Sequence, residues 1–281
     1  MKITRILSHA KINLALNIIG KKKSLHKIES IISFIELHDV ISISKNESNY
    51  HQITYYGKFS RNLSKNNTVK KLFQILDNMS LLNGKKFKVK IKKNIPQEAG
   101  LGGGSMNAAN VLNYLINKKF LKISQKRIQK ICNLIGSDVI LGRSLSSCIL
   151  LSNNKIKEFY GCPKYFSLLV KPNFGCSTKK IYSSVRKFSK PQFNQPKKKM
   201  FSLKYLINQK NALEEIALRK YPKLKQLKSF LVETNNPIFV RMTGSGSTII
   251  AYYNSFINCK LAKAKISRKY KNYWSIASKT I

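Results

Sequence analysis

Apolar and polar residues alternate along several stretches of the N-terminal half of the chain. A period of two residues is typical of β-strands, because successive side chains point to opposite faces of a sheet. The pattern predicts strands over residues 11–18, 30–37, 40–44, 52–56 and 87–91. In the first of these the even-numbered positions are apolar, and Lys11 and Asn13 share the opposite, polar face. A basic turn over residues 20–24 follows it.

A helical period appears after residue 67. Asn67 and Thr68 precede apolar residues at positions 69, 72, 73 and 76, which is the spacing of one helix face behind a capping residue. The pattern predicts a helix that ends near Met79. Further helices are predicted after residue 104, from Ser124 to Gly136, over 178–185, over 203–219, over 224–232, and in the segment that ends at about residue 270. Further strands are predicted over 147–152, 165–170, 238–240 and 248–253 and near residue 274.

Turn-forming residues divide the chain into two predicted domains. Gly161 and Pro163 punctuate the pattern, which indicates an N-terminal domain over 1–160 and a C-terminal domain over 161–281. In the second domain strands and helices alternate with antiparallel returns, so we expect an α+β fold of ferredoxin-like type. A segment rich in Pro, Lys and Asn over 187–199 predicts a mobile surface loop.

The chain is strongly basic. It carries 53 Lys and Arg residues against 11 Asp and Glu residues, a net charge of +42 over 281 residues. Such a balance is common in nucleic-acid-binding proteins. However, the lysines are spread from end to end, which favours a generally basic surface and predicts no specific nucleic-acid partner.

Several other classes of protein are excluded by composition. The sequence has no apolar run of the roughly 18 residues that a membrane span needs, so no membrane partner is expected. Its five cysteines form no Cys-x-x-Cys pair, which indicates reduced thiols and not a disulfide framework or a zinc site. These features predict a cytoplasmic protein.

The most distinctive stretch is glycine-rich and covers residues 95–109. It places four of the 13 glycines within residues 100–104, directly after a predicted strand and before a predicted helix. Glycine lets consecutive backbone N–H groups approach an anion, and a helix N-terminus adds partial positive charge. The stretch predicts a cradle for nucleotide phosphates, with a plain flexible loop as the alternative. Its spacing matches neither a Walker P-loop nor a Rossmann fingerprint.

One of the three aspartates is a candidate for chemistry. Asp39 and Asp77 have ordinary structural interpretations beside a strand and late in a helix. Asp138 comes just after the helix-ending Gly136 and leads into apolar residues, where an unpaired carboxylate is costly unless it faces a site. A turn-forming role is the alternative for Asp138.

Three separated segments resemble the signature motifs of the GHMP kinase superfamily, in the same order. They are residues 10–14 around Lys11, residues 96–109, and the Thr-Gly-Ser-Gly turn at 243–246. The resemblance implies an N-terminal domain like the second domain of ribosomal protein S5 and a ferredoxin-like C-terminal domain. It also implies ATP and Mg²⁺ as cofactors.

The long form of the glycine motif is most similar to the branch of the superfamily that acts on a cytidine-diphosphate-linked methylerythritol. The resemblance implies phosphorylation of its 2-hydroxyl, a step in non-mevalonate isoprenoid synthesis. Asp138 would be the catalytic base, and Lys11 would lower the pKa of Asp138 and hold the hydroxyl group. The chain is expected to be a monomer or a homodimer.

The same resemblance implies the remaining site residues. ATP-binding positions are Asn67, Lys93, Pro96, Gly100, Leu101, Gly102, Gly103, Gly104 and Ser105. Substrate-binding positions are Asn13, His26, Thr178, Gly244 and Gly246. No direct protein ligand to Mg²⁺ is implied, apart from Ser105 as a candidate.

The chain also departs from the family pattern. The aromatic residue expected before His26 is Leu25, a second serine of the glycine motif is Met106, a glycine is Glu98, and a proline after Asp138 is Ile140. Leu25 weakens the stacking expected on cytosine and supports a second hypothesis, a GHMP kinase for a different small alcohol. A third hypothesis is a basic nucleic-acid-binding protein with the S5-like fold.

Overall fold

The computed structural model describes residues 2–22, 25–61, 63 and 67–281. Two long strands, β1 (Thr4–Lys22) and β2 (Leu25–Asn46), begin the chain and pair with each other. The predicted strands at 11–18, 30–37 and 40–44 are confirmed, although the last two form one uninterrupted strand. Lys23 and Ser24 of the predicted basic turn lie outside the described residues.

The polar face predicted for residues 11–18 is not exposed to solvent. Lys11 and Asn13 are each 4 % exposed, and their apolar neighbours Ile12 and Leu14 are as deeply buried. This part of β1 is therefore buried on both faces. A lysine and an asparagine in such a position require polar partners, since an unpaired buried polar group is unfavourable.

Contacts divide the chain into two compact units, each assembled from separate segments. The first unit holds the residues up to Ala10 together with 37–97 and 102–145, and the second holds 11–36, 98–101 and 146–281. These units differ from the two sequence domains predicted at 1–160 and 161–281, which stay a prediction.

The first unit packs three helices on one face of a small sheet. The C-terminal half of β2 pairs antiparallel with β4 (Lys86–Lys92), which pairs in parallel with β3 (Gln52–Tyr56). Phe87, Val89 and Ile91 of β4 point into the core, whereas the lysines between them face outward. The helices are α1 (Thr68–Asn78), α2 (Gly103–Asn117) and α3 (Gln125–Ile135), and their apolar faces complete the core.

Capping residues begin two of these helices as predicted. Asn67 accepts a hydrogen bond from the backbone N–H of Lys70 at the start of α1, and Ser124 does the same for Arg127 in α3. A 3₁₀-helix over Val139–Arg143 follows the end of α3 at Gly136.

The second unit contains an antiparallel sheet of four strands. β7 (Phe166–Lys171), β8 (Phe239–Met242), β9 (Ile249–Tyr253) and β10 (Trp274–Lys279) are arranged in the order β10-β7-β9-β8. This is the strand order of a ferredoxin-like domain, which confirms the prediction. In the same unit β5 (Ser147–Leu150) pairs with the N-terminal half of β2 and with β6 (Ile156–Phe159).

The helices of the second unit differ from the prediction mainly between residues 203 and 219, and the helix predicted over 178–185 ends at Tyr182. They are α4 (Thr178–Tyr182), α5 (Leu203–Leu206), α6 (Glu214–Lys220), α7 (Pro222–Val232) and α8 (Phe256–Lys269). The helix predicted over 203–219 is therefore broken. Asn211 lies between the two parts, and its side-chain Nδ2 donates hydrogen bonds to the carbonyl groups of Met242 and Gly244, both at 2.8 Å. The helical pattern of the sequence does not reveal this tertiary contact.

The segment 187–199 was predicted as a surface loop, and this is wrong at its centre. Phe193 is fully buried. The backbone N–H groups of Gln192 and Phe193 donate to the carboxylate of Glu29 at 2.7 and 3.0 Å. The segment is thus anchored to β2 of the same unit.

Among the described residues, no helix is long and apolar enough to cross a membrane.

Candidate functional site

The glycine-rich stretch forms a turn that opens into α2. Gly100 and Gly102 have φ angles of 70° and 67°, a left-handed conformation that glycine adopts without strain. Gly102 is the N-cap of α2 and has no side chain to satisfy the first backbone N–H groups. The N-terminus of a 15-residue helix is thus left with backbone donors at the predicted phosphate cradle.

The second half of the cradle has no room for larger side chains. A Cβ on Gly103 would lie 3.0 Å from Cγ2 of Ile95 and 3.4 Å from Nζ of Lys93. A Cβ on Gly104 would lie 3.2 Å from Oγ1 of Thr68, a hydroxyl group that donates to the Gly104 carbonyl at 2.6 Å. These contacts explain why glycine is needed and fix the start of α2 against α1.

A buried carboxylate lies beneath this turn. Asp39 is fully buried, and its Oδ1 accepts hydrogen bonds from the backbone N–H groups of Asn94 and Ile95 at 2.8 and 2.9 Å. Its Oδ2 accepts from Nδ2 of Asn107 at 2.9 Å and pairs with the ammonium group of Lys93. Asp39 therefore ties the chain before the glycine stretch to the helix after it.

The predicted nucleotide contacts Asn67 and Lys93 both have partners within the protein. Lys93 is 4 % exposed and forms the ion pair with Asp39. Asn67 caps α1 and also accepts from the hydroxyl group of Tyr55. Burial, together with the negative charge of Asp39, raises the pKa of Tyr55 above its ordinary value. Roles for Asn67 and Lys93 in binding ATP stay predictions.

Asp138 lies at the N-cap of the 3₁₀-helix over Val139–Arg143 and is half-buried. This short helix packs closely on α2, since a Cβ on Gly142 would lie 2.7 Å from Cβ of Ala109 and 3.0 Å from Sδ of Met106. A Cβ on Gly136 would lie 4.0 Å from Oγ of Ser105. The turn that carries Asp138 is therefore next to the last residue of the phosphate cradle, within the first unit.

Parts of all three sequence motifs meet in the second unit. The backbone N–H of Lys11 donates to the carbonyl of Leu101 at 3.1 Å. The hydroxyl group of Thr243 accepts from the backbone N–H of Asn13 at 2.9 Å and donates to the carbonyl of Gly100 at 3.3 Å. The motifs lie more than 80 residues apart along the sequence, and their spacing does not reveal this arrangement.

Close packing at this junction also requires glycine. A Cβ on Gly100 would lie 2.2 Å from the carbonyl oxygen of Thr243, and one on Gly244 would lie 3.1 Å from that of Gly100. A Cβ on Gly246 would lie 2.9 Å from Sδ of Met242. Gly244 therefore lets the turn at 243–246 approach Gly100, and Gly246 leaves room for the side chain of Met242.

The ammonium group of Lys11 is held in a polar network. Nζ of Lys11 donates to Oδ1 of Asn13 at 2.7 Å, and Nδ2 of Asn13 donates to the hydroxyl group of Ser30 at 2.8 Å. Ser30 donates in turn to the carbonyl of Ala15 at 2.6 Å. The network orients a buried cation, which is the property that the resemblance requires of Lys11.

His26 lies among aromatic side chains of the second unit. Its ring centroid is 5.2 Å from that of Tyr182 and 6.3 Å from that of Phe188. Burial, and then the positive charge of Lys21, lower the pKa of His26 below its ordinary value. Thr178, another predicted substrate contact, shares a hydrogen bond of 2.8 Å with the hydroxyl group of Ser245.

The departures from the family pattern have different surroundings. Leu25 is 76 % exposed, whereas Met106 is fully buried against the 3₁₀-helix. Glu98 has a positive φ of 49°, a conformation that glycine adopts more readily. The backbone shape at this position is thus kept although the residue type has changed.

Comparison with known proteins relates the whole chain to one group of kinases. Residues 67–146 match the family described as GHMP kinases N terminal domain. A 4-diphosphocytidyl-2-C-methyl-D-erythritol kinase from Pelagibacter ubique (strain HTCC1062) is 57 % identical over 281 residues, covering 100 % of both chains. The chain belongs to the family of 4-diphosphocytidyl-2-C-methyl-D-erythritol kinases.

More distant members of this kinase family agree. A relative of the same name from Clostridium botulinum (strain Hall) is 32 % identical over 279 residues, covering 94 % of this chain and 96 % of the relative. A crystal structure of a 4-(cytidine 5'-diphospho)-2C-methyl-D-erythritol kinase superimposes with a TM-score of 0.78 at 21 % identity and covers 99 % of this chain and 100 % of that chain. This structural likeness confirms the GHMP kinase fold.

Three residues that organise the site in this kinase were missed by sequence reasoning. Asp39 received only an ordinary structural interpretation, and Glu29 and Asn211 were not singled out. The available signal was the position of Asp39 and Glu29 within strongly apolar strand sequence, where a carboxylate needs buried partners. Among the described residues, no group of three or more His, Cys, Asp and Glu side chains could hold a metal ion.

Proposed function

We propose that the chain is an ATP-dependent kinase that phosphorylates the 2-hydroxyl of 4-diphosphocytidyl-2-C-methyl-D-erythritol, in non-mevalonate isoprenoid biosynthesis in the cytoplasm. The observation that carries this proposal is the convergence of Lys11, Gly100 and Thr243, one residue from each family motif. The relative with 57 % identity over the full chain, which bears the name of this kinase, supports the choice of substrate.

The cradle at the start of α2 fits the phosphates of ATP. The backbone N–H groups of Gly103, Gly104 and Ser105 follow the left-handed Gly102, and glycine keeps the approach to them open. Leu101 and Pro96 flank this turn. Mg²⁺ would enter with the nucleotide and neutralise charge on its phosphates, and Ser105 is the candidate protein hydroxyl at that position.

Asp138 acts in this proposal as the base that accepts the proton of the 2-hydroxyl. The hydroxyl oxygen forms a bond to the γ-phosphorus of ATP, the bond from that phosphorus to the bridging oxygen breaks, and ADP leaves with the bonding electrons. Lys11 supplies a fixed positive charge for the acceptor oxygen and the transferring phosphoryl group. Asn13 orients that charge through its hydrogen bond to Nζ of Lys11.

The decisive experiment compares purified wild-type protein with Asp138→Asn in a phosphotransfer assay with ATP and the cytidyl substrate. Since general base catalysis contributes roughly 100- to 10,000-fold, we expect kcat to fall by at least about 100-fold while KM for ATP changes little. Asp77→Asn, which alters an aspartate on α1, is the matched control. Equal rates for Asp138→Asn and wild type would remove Asp138 from the mechanism, and a wild-type protein inactive on this substrate would contradict the proposal.

A second candidate function is phosphorylation of a different small alcohol, and it rests on Leu25. The side chain of Leu25 is 76 % exposed beside His26 and provides no aromatic ring for a cytosine base. A panel of acceptor alcohols with and without a cytidine diphosphate group separates the two functions. Higher kcat/KM on an alcohol without the cytidyl group would favour the second one.

A further inference from the structure

The 3₁₀-helix that begins at Asp138 is short, with five residues over Val139–Arg143. The backbone N–H of Val139 donates to the carbonyl of Gly136 at 3.1 Å, and that of Leu141 donates to the carbonyl of Asp138 at 3.2 Å. So short a helix is not stable by itself and needs tertiary contacts to keep one position. The place of Asp138 therefore depends on what holds the rest of this helix.

One side chain of α2 binds the C-terminal end of the 3₁₀-helix. Nδ2 of Asn113 donates to the carbonyl groups of Gly142 and Arg143 at 3.2 and 3.3 Å. Its Oδ1 accepts a hydrogen bond from Nη1 of Arg143. The last carbonyl groups of a helix have no partner within the helix, so Asn113 supplies donors that the helix itself lacks. We refer to these hydrogen bonds between Asn113 and residues 142–143 as the Asn113 clamp.

Packing and the Asn113 clamp fix different things. Gly142 lies close against Ala109 of α2, as described above, which sets the distance between the two helices. The half-buried Arg143 also lies near α3, since its charge opposes the rise that burial causes in the pKa of the Cys132 thiol. Apolar packing has no preferred direction, whereas hydrogen bonds do. The Asn113 clamp therefore sets the register of the 3₁₀-helix along α2.

The Asn113 clamp lies one turn of the 3₁₀-helix away from Asp138. Leu141, whose N–H binds the carbonyl of Asp138, directly precedes Gly142, whose carbonyl binds Asn113. The helix that carries Asn113 is also the helix whose first residues form the phosphate cradle. A single rigid element thus determines where both the cradle and the turn of Asp138 lie.

We propose that Asn113 is a positioning residue for phosphotransfer, which holds the turn of Asp138 in place relative to the phosphate cradle through its hydrogen bonds to residues 142–143. The inference rests on the proposed function for the role of Asp138 as the base. Ile140 stands where the family pattern has a proline, whose ring would fix the φ angle of this turn locally. In this chain the tertiary contact of Asn113 supplies that constraint.

The first test is steady-state kinetics of Asn113→Ala in the full chain. Since a misplacement of 1 Å costs up to about 100-fold in rate, we expect kcat to fall by about 10-fold or more, with KM for ATP within about 2-fold of wild type. Asn117→Ala makes the same substitution at an exposed residue of α2 and is the matched control, expected to leave kcat unchanged. A wild-type kcat in Asn113→Ala would overturn the inference.

Coupling and rescue separate positioning from a merely structural role. Asn113→Ala is expected to lower kcat in the wild-type background but not the residual kcat of Asp138→Asn, because its effect passes through Asp138. The same fold-loss in both backgrounds would show that Asn113 acts on the fold as a whole, and would overturn the inference. Adding Ile140→Pro to Asn113→Ala is expected to restore most of kcat, since proline fixes φ and is tolerated in the first turn of a helix.

Amide hydrogen exchange, measured by NMR without substrate, distinguishes failure of this inference from failure of the proposed function. Loss of the Asn113 clamp is expected to speed exchange at Val139 and Leu141 by about 10-fold, with the amides in the middle of α2 unchanged. Unchanged exchange at both residues overturns the inference. A wild-type protein inactive on the cytidyl substrate, with exchange at these residues still dependent on Asn113, contradicts only the proposed reaction.

Discussion

Two buried carboxylates, Asp39 and Glu29, organise the backbone around the candidate site. Each accepts two backbone N–H groups from a segment distant in the sequence: Asp39 holds residues 94–95 before the glycine stretch, and Glu29 holds residues 192–193. Asp39 differs from Glu29 in that it also pairs with a buried ammonium group, that of Lys93. A buried carboxylate of this kind fixes a distant backbone segment, because its two oxygens satisfy N–H groups that would otherwise be unpaired.

Asp39→Asn is therefore expected to destabilise the protein strongly. The new amide nitrogen would face the donor groups of Lys93 and Asn107, and Lys93 would be left as an uncompensated buried charge. Breaking a buried ion pair in this way costs about 3 to 5 kcal/mol. Urea unfolding at neutral pH measures the loss as a shift in midpoint.

Asp77→Asn is the control for this substitution. Asp77 also pairs with a lysine, Lys86 at 2.9 Å, but its side chain is 35 % exposed. An exposed pair contributes at most about 1 kcal/mol. If both substitutions lowered the free energy of unfolding by the same amount, the special role assigned to Asp39 would be wrong.

The junction between α1 and β4 depends on the imidazole of His51. Its ring stacks 4.1 Å from that of Phe73 in α1 and lies 6.0 Å from that of Phe87 in β4. Nδ1 accepts the backbone N–H of Phe87 at 3.1 Å, which requires the proton of neutral His51 to be on Nε2, 3.3 Å from Asp77. Burial lowers the pKa of His51 below its ordinary value, although the hydrogen bond and charge of Asp77 oppose this.

This arrangement predicts a loss of stability in mild acid. The unfolded chain protonates His51 near its ordinary pKa of 6.5, whereas the folded protein does so only at lower pH. The unfolded state thus binds more protons between the two pKa values, and the free energy of unfolding falls as pH drops below about 6.5. Urea unfolding at several pH values between about 5 and 8 measures the dependence.

His51→Phe isolates this contribution from that of His26, whose pKa is also lowered. The variant is expected to show a smaller fall in stability over the same pH range than wild type. Asp77 does not contribute in this window: burial would raise its pKa, but hydrogen bonds from Lys86 and His51 hold the pKa below the ordinary value, so its contribution is lost only in stronger acid. An identical pH dependence in wild type and variant would contradict the role of His51.

At the scale of the whole molecule, the net charge is strongly positive because acidic residues are few. Several of these acidic residues also bind partners within the protein. Of the 11 acidic residues, Asp39, Asp77 and Glu214 each form an ion pair with a lysine, and Glu29 accepts backbone N–H groups. Lysines on β4 alternate with its core residues and face outward. Most of the net charge of +42 therefore belongs to a general basic surface.

Such a surface is expected to bind nucleic acid weakly, without sequence preference and with a steep dependence on salt. The logarithm of the binding constant for a single-stranded oligonucleotide should fall linearly with the logarithm of salt concentration. Asp138→Asn, which is expected to slow phosphotransfer, should leave this binding unchanged. Fluorescence anisotropy at several salt concentrations provides the measurement, and tight binding that persists at high salt would favour the nucleic-acid-binding hypothesis.

Local elements were predictable where one pattern dominates a stretch of sequence. The cap at Asn67, the alternation in β4 and the glycine turn before α2 each depend on neighbours within a few residues. Where an element differs from its prediction, the cause is a contact with a residue far away in the sequence. β2 continues through Asp39 because its carboxylate finds buried partners, and the helix predicted over 203–219 is interrupted because Asn211 binds the turn at 243–246.

Some features of the candidate site were likewise predictable from the sequence, and others depend on tertiary contacts. The sequence alone determined the glycine turn that opens into α2, since four glycines before a helix set the backbone conformation locally. Its motifs identified Lys11 and Asp138 as candidates for the chemistry. Only the tertiary structure decided which residues support them. Asp39 accepts the backbone N–H of Asn94, Thr243 bonds to Asn13 and Gly100, and Glu29 accepts the backbone N–H of Gln192. These hydrogen bonds join residues that are far apart in the chain, so they leave no local periodicity in the sequence.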